Sequence, residues 1–248
     1  MKMDYNVLSQ DYDLTRDINV DTLKRIVSRT DFRPETKVLD FGCGTGNYTC
    51  AVKKLTHAAV CGVEPSDGMR EKAIAKKMDI AFLKGDHTKI PVEDSSIDLL
   101  YMTDVIHHVP DLHVMFREFC RVLKPDGLIC ILTESHEQIA SRFWSVYFPA
   151  TVPAEQARYP DVDVVLGAAD DCGLSLREVE ITDHPQRVEI TPEFIKLVEN
   201  KGYTLFRLIS EAEFADGLAA LKQDFEKGVV IETDHGESFI WLGKKELF

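Results

Sequence analysis

The sequence lacks an excess of positive charge, closely spaced cysteines and long apolar runs. Lys and Arg number 29 against 42 Asp and Glu, a formal net charge of −13. So acidic a chain has no basic footprint with which to displace counterions from phosphates, so nonspecific nucleic-acid binding is not expected. The six cysteines (Cys43, Cys50, Cys61, Cys120, Cys130, Cys172) include no CxxC pair and no Cys/His group with zinc spacing. Several sit in apolar runs, such as Cys130 in Leu128-Ile129-Cys130-Ile131-Leu132, and read as small core residues in a reducing compartment. No apolar stretch approaches the roughly 18 residues of a membrane span. The opening Met1-Lys2-Met3-Asp4-Tyr5 carries no apolar signal core. The expectation is a cytoplasmic protein without nucleic-acid or membrane partners. Internal repeats and low-complexity segments are absent as well.

What is present is an ordinary globular composition: 248 residues, 44% hydrophobic, enough for one α/β domain with embellishments or two small domains. In the first half, short apolar runs alternate with segments of helical period. Strands are expected over Lys37–Phe41, Ala59–Glu64, Ile80–Leu83, Ile97–Met102 and Gly127–Thr133. Helices are expected over Gly46–Leu55, Ser66–Lys77 and Leu112–Leu123. In the last of these, Leu112, Met115, Phe116, Phe119, Cys120 and Leu123 recur at three- and four-residue steps, with Arg117, Glu118 and Arg121 on the other side. Lys124-Pro125-Asp126-Gly127 reads as a tight turn into the next strand. Such βαβ alternation implies a parallel sheet with helices on both faces, whose ligands bind at the carboxyl ends of the strands.

The second half is less regular. Residues 137–159 are rich in aromatics, a strand is expected over Leu174–Thr182, two or three helices over Pro192–Lys227, and a closing strand over Ser238–Gly243. The two segments at 137–159 and 192–227 read as insertions that cap the ligand edge of one domain spanning residues 1–248.

The most informative stretch is Val38-Leu39-Asp40-Phe41-Gly42-Cys43-Gly44-Thr45-Gly46-Asn47: a strand, glycines at alternate positions, then a helix. Glycine permits positive φ and close backbone approach to a ligand, and the free N–H groups of a helix start suit a polar group. Dinucleotide loops use GxGxxG, whereas Asn47 occupies the third glycine position here. Asp40, just before the loop, would repel a pyrophosphate and suit an amino group. Glu64 ends the second strand, where an acidic residue can accept both ribose hydroxyl hydrogens. Asp86 follows the third strand, placed for an adenine amine, and Thr103 ends the fourth.

Together these residues resemble the class I S-adenosylmethionine (SAM)-dependent methyltransferases, of the small-molecule type found in ubiquinone and menaquinone biosynthesis. The resemblance runs from about Tyr5 to Thr133. It rests on the glycine loop, on Gly85-Asp86-His87-Thr88-Lys89-Ile90-Pro91, on Ile97-Asp98-Leu99-Leu100, and on Arg121-Val122-Leu123-Lys124-Pro125-Asp126-Gly127. It implies a Rossmann-like, doubly wound α/β sheet, mostly parallel with an antiparallel C-terminal strand, plus a helical cap. It also implies SAM as cofactor. Asp40, Gly42 and Gly44 would line its methionine part, with Cys43 in the same cofactor-binding set, and Glu64 would hold the ribose hydroxyls. Asp86 and His87 would flank the adenine, Met69 would pack near it, and Thr103 would lie beneath the cofactor. Tyr12 and Arg16 would close over the methionine carboxylate, or serve as ordinary surface packing.

After the fourth strand, Thr103-Asp104-Val105-Ile106 stands where enzymes that methylate nucleobase or glutamine nitrogens carry an Asn/Asp-Pro-Pro-aromatic sequence. Such acceptors are therefore not expected. Methyl transfer needs chiefly alignment and exclusion of water. Where an acceptor proton must be removed, His107 and His108 are the candidate bases, then His136, though each by itself reads more readily as a structural residue. Adjacent histidine side chains diverge, so no metal is expected. The aromatic stretch could form an acceptor pocket with Arg142 and Arg158 binding an acidic group, or bury its rings in a cap. The leading function is methyl transfer to a small-molecule acceptor by a monomer or homodimer. The alternatives are a SAM-binding module without its own transfer chemistry and, against the glycine register, a dinucleotide oxidoreductase.

Overall fold

A computed structural model describes residues 18–182, 186–233 and 236–245. Tyr12 and Arg16 lie outside them. The described residues cluster into two compact units, one of residues 18–133, 165–179 and 239–245, the other of 134–164, 180–182, 186–233 and 236–238. The second contains both segments expected as insertions.

In the first unit, α1 (Val20–Val27) precedes β1 (Lys37–Phe41), α2 (Asn47–Thr56), β2 (Ala59–Val63), α3 (Asp67–Ala75), β3 (Ala81–Leu83), β4 (Ile97–Thr103), a 3-10 turn (Ile106–His108), α4 (Leu112–Val122) and β5 (Leu123–Thr133). After helices α5 (His136–Ala140), α6 (Phe143–Tyr147), α7 (Thr151–Gln156) and α8 (Val162–Asp171) come β6 (Leu174–Thr182) and β7 (Gln186–Glu189). The chain continues through α9 (Pro192–Glu199), a 3-10 turn (Thr204–Arg207), α10 (Glu211–Glu226), β8 (Val230–Thr233) and β9 (Glu237–Lys244).

Seven strands form one sheet in the order β3-β2-β1-β4-β5-β9-β6, mostly parallel with one antiparallel strand. The order reverses at β1, which pairs in parallel with β2 on one side and β4 on the other. The alternation of β1 explains its double burial. Val38 joins Ile26, Val52, Val60, Leu99 and Tyr101 in one core. Phe41 meets Phe119 of α4 edge to face at 5.0 Å. Arg29, just beyond α1, lies over the Trp241 ring at 5.0 Å.

Two expectations change. Gly46 is not the first helical residue but the left-handed N-cap of α2, at φ 78°. Lys124–Gly127 is not a free turn: β5 begins at Leu123, and its register with β4 shifts between Leu123 opposite Ile97 and Leu128 opposite Leu99. The Lys124 ammonium donates to both oxygens of Asp98, at 2.7 and 2.8 Å, and ties this irregular start of β5 to β4.

The second unit has its own core, in which Phe143, Tyr147, Phe148, Ile195, Val198, Phe206, Phe214 and Leu221 are buried. Gly217 of α10 is needed for that packing, since a Cβ there would fall 2.4 Å from the Phe148 ring. β7 and β8 pair antiparallel as a separate two-stranded ribbon.

Candidate functional site

Because β1 to β4 are parallel, the residues ending them share one edge of the sheet. In spatial order they are Asp86 beyond β3, Glu64 after β2, the glycine loop after β1, and Thr103 and the histidine turn after β4. This edge includes the strand-order reversal, where open α/β sheets bind ligands.

The loop is held from below. Gly42 and Cys43 N–H groups both donate to the Val63 carbonyl, at 2.8 and 3.1 Å, and Gly46 N–H donates to the Cys43 carbonyl at 2.8 Å. Gly42, Gly44 and Gly46 have φ of 73°, 53° and 78°, a region costly for residues with a Cβ. At Gly42 a Cβ would also stand 2.6 Å from both methyls of Val105, which packs the turn after β4 against the loop. Cys43 fills the space over Gly62, where a Cβ would lie 2.6 Å from its sulfur. Burial pushes the Cys43 thiol up, with the negative charges of Asp40 and Glu64 adding to it, so Cys43 is a packing residue and not a thiolate.

Glu64 is 8% exposed. One carboxylate oxygen accepts the Gly44 N–H at 3.0 Å and the other the Ser66 N–H at 2.8 Å. Burial raises its pKa, opposed by these two hydrogen bonds. Each oxygen retains a lone pair, so a carboxylate that props the loop can still accept a ligand hydroxyl.

Asp40 is 2% exposed and pushed up to about 7, chiefly by burial. Thr49 Oγ1 of α2 donates to it at 2.6 Å. The β1–β4 register sets Tyr101 directly beside it, and the β1–β2 register sets Gly62 on its other side. Asp40 thus lies behind the loop rather than on its surface.

Asp86 is exposed. Its Oδ1 accepts from the Thr88 N–H at 2.8 Å and from the Thr88 hydroxyl at 2.6 Å, and these bonds, the hydroxyl's foremost, hold its pKa below the usual carboxylate range. His87 is half-buried, Met69 is buried in the first turn of α3, and Thr103 is half-buried opposite Leu132. His107 is half-buried and His108 exposed, their rings 3.9 Å apart between centroids. Among the described residues no group of three or more His, Cys, Asp and Glu could hold a metal.

Two residues placed by periodicity on the side of α4 away from its apolar stripe prove to be structural for this edge. Glu118 accepts the Ile90 N–H at 2.8 Å, while Arg121 donates to the Ile90 carbonyl at 2.7 Å and the Val92 carbonyl at 3.0 Å. The pair, joined by Arg121 Nε to Glu118 at 2.8 Å, clamps the segment that follows Asp86 and His87. No local sequence signal marks this, because both side chains satisfy backbone groups about 30 residues earlier in the chain.

In the second unit, the arginines considered for an acidic acceptor group are already engaged. Arg142 pairs with Glu134 and, at 2.9 Å, with Glu155, and Arg158 pairs with Glu155 at 2.6 Å. His136 is occupied too, with Nε2 2.9 Å from the Tyr159 carbonyl.

Residues 39–131 match the family model described as a methyltransferase domain. A demethylmenaquinone methyltransferase of Staphylococcus aureus is 31% identical over 137 residues, 52% of this chain and 57% of that one, so the chain spans little more than half the length of this curated relative. Among solved structures, a putative methyltransferase from an antibiotic biosynthesis pathway of Anabaena variabilis superposes with a TM-score of 0.73 at 22% identity, covering 94% of this chain and 99% of that one. A geranyl diphosphate C-methyltransferase of Streptomyces coelicolor, in complex with Mg2+, geranyl diphosphate and S-adenosylhomocysteine, gives 0.57 at 16% identity, covering 91% and 79%. The fold is that of these methyltransferases, and the match to the methyltransferase-domain family runs from β1 through the glycine loop into β5.

Proposed function

We propose that this chain binds SAM along the edge formed by β3, β2, β1 and β4 and moves its methyl group to a small-molecule acceptor by in-line displacement. The observation that carries the reading is the row of groups along that edge. Three inter-strand spacings of about 4.8 Å make roughly 15 Å, suited to a ligand with base, ribose and amino acid end to end. In that row Asp86 suits the adenine amine and Glu64 the ribose hydroxyls. The loop of Gly42 and Gly44, whose positive φ brings bare backbone to this edge, suits the amino acid portion, and buried Asp40 offers negative charge to a cation.

SAM supplies a methyl group already activated on a sulfonium. The chain's residues need only hold donor and acceptor in line and exclude water, which can supply up to roughly 7–11 kcal/mol of the barrier. For an acceptor that must lose a proton, His107 or His108 would take it, being next to the loop through Val105. The relative's name, demethylmenaquinone methyltransferase, favours an apolar ring-bearing acceptor, and the second unit carries partly exposed aromatics of that character, Trp144 stacked on Phe194. No helix of the described residues is long and apolar enough to cross a membrane.

Calorimetric titration with SAM, S-adenosylhomocysteine and NADH tests the cofactor. Binding of the first two and not the third is expected; binding of NADH alone would overturn the reading. Incubation with methyl-labelled SAM and quinol or phenol acceptors then tests transfer, and bound cofactor without label in any acceptor would favour a binding module.

A further inference from the structure

We infer that Tyr101 is a positioning residue for Asp40, and that Tyr101, Asp40 and Thr49 form one buried proton-binding unit behind the glycine loop that makes cofactor affinity depend on pH. The inference rests on the proposed cofactor site and adds to it a control that the loop motif alone does not contain.

Three observations carry it. First, Asp40 and Tyr101 are register partners across β1 and β4, so their side chains rise from the same face. Second, Tyr101 is fully buried, and its hydroxyl, which meets strict hydrogen-bond geometry with no group, lies near enough to the Asp40 carboxyl to help hold that carboxyl's proton affinity down. Its strongest charged neighbour is the Asp40 carboxyl. A buried hydroxyl left without a partner costs free energy unless some state of the protein uses it. Third, Thr49 already donates to Asp40 at 2.6 Å, leaving the carboxyl room for a second donor.

The groups facing Asp40 among the described residues are Thr49 from α2, Tyr101 from β4, Cys61 from β2, Glu64 just after β2, and Cys43 from the loop. None is cationic, and burial raises Cys43 and Cys61 as well. With no positive partner on the protein, the neutral acid is the resting form near and below neutrality. A bound cation is the missing counter-charge. As it binds, the proton leaves Asp40 for solvent, and in the ionised state, with or without the cation, a small adjustment seats the Tyr101 hydroxyl on the carboxylate as its second donor.

The test is the pH dependence of SAM affinity, by calorimetry from pH 5.5 to 8.5, for the native protein and for Tyr101→Phe, Thr49→Val and Asp40→Asn. Thermal melting confirms that each variant is folded, and the ligand's own titration cancels in the comparison. For the native protein, Kd should rise about tenfold for each pH unit below a midpoint near neutrality. Removing a donor to the carboxylate should move that midpoint upward, by about half a unit for Tyr101→Phe and about one unit or more for Thr49→Val, with affinity restored at the alkaline end. Asp40→Asn should bind weakly and lose the slope. Near pH 6.5, titrations in buffers of different ionisation enthalpy should reveal proton release in the native protein and less in Asp40→Asn. Superimposed profiles for native and Tyr101→Phe would overturn the inference, as would a native Kd indifferent to pH. A native protein that binds no SAM at any pH would overturn the cofactor reading itself, a different result from a bound cofactor indifferent to pH.

Discussion

The Glu64 carboxylate accepts the backbone N–H of Gly44 at 3.0 Å, so the acid at the end of β2 supports the loop at the end of β1. The residue expected to read the ribose also holds the peptide beside it in place. In Glu64→Gln, one of the two backbone N–H donors now faces an amide NH2 instead of an oxygen. SAM affinity should fall roughly ten- to a hundredfold, about 1.4–2.8 kcal/mol. Calorimetry decides: unchanged affinity would reduce Glu64 to a loop brace.

Asp40 gives a prediction for the protein without ligand. Its carboxyl ionises near 3.9 in an unfolded chain and at about 7 when folded. The folded state therefore holds this proton more tightly. The resulting stability is fully present below about pH 4 and is lost as pH rises toward and past 7. Asp40→Asn lacks this loss, on the order of 4 kcal/mol at most. Urea unfolding at pH 5 and pH 8 should therefore show the variant gaining on the native protein with rising pH. A difference between the two proteins that stays constant with pH would show that Asp40 is ionised throughout.

The clamp on the segment after Asp86 depends on the forked geometry of Arg121, which reaches two backbone carbonyls and Glu118 together. Lysine keeps the charge but not the fork. Arg121→Lys should cost about 1–2 kcal/mol of stability and speed amide exchange over residues 88–92, with SAM affinity falling in parallel. Exchange rates equal to those of the native protein would mean that the segment stands without the clamp.

In the second unit Arg142 is buried between Glu134 and Glu155. Arg142→Met would leave Glu134 buried without this partner, while Glu155 keeps Arg158. The expected loss is about 3–5 kcal/mol, with partial recovery when Glu134 is replaced by Leu at the same time. A native-like melting temperature for Arg142→Met alone would show that the pair contributes little.

Much of the first unit was legible from local pattern. Of the five strands expected in the first half of the chain, four were placed to within a residue or so, because apolar runs bounded by glycine and helical periodicity are local signals. Lys124–Gly127 misled, since Pro and Gly there favour a turn, whereas the Lys124 tie to Asp98 draws the segment into an irregular start of β5. Arg142 and Arg158 looked available to an acidic acceptor because a sequence shows charges without their partners. Periodicity placed Glu118 and Arg121 opposite the apolar stripe of α4 but, for the same reason, gave no sign of the backbone groups they hold.

The sequence by itself determined the strand–loop–helix unit at Asp40–Asn47, because positive φ at alternate positions requires glycine and the flanking pattern is local. Glu64, Asp86 and Thr103 were likewise placed at strand ends by where apolar runs stop. Only the tertiary structure decided what those groups do to one another. Strand order and register set Tyr101 beside Asp40 and brought Glu64 onto Gly44. Burial then set the proton affinity of Asp40. These are properties of distance and dielectric between segments far apart in the chain, and only folding creates them.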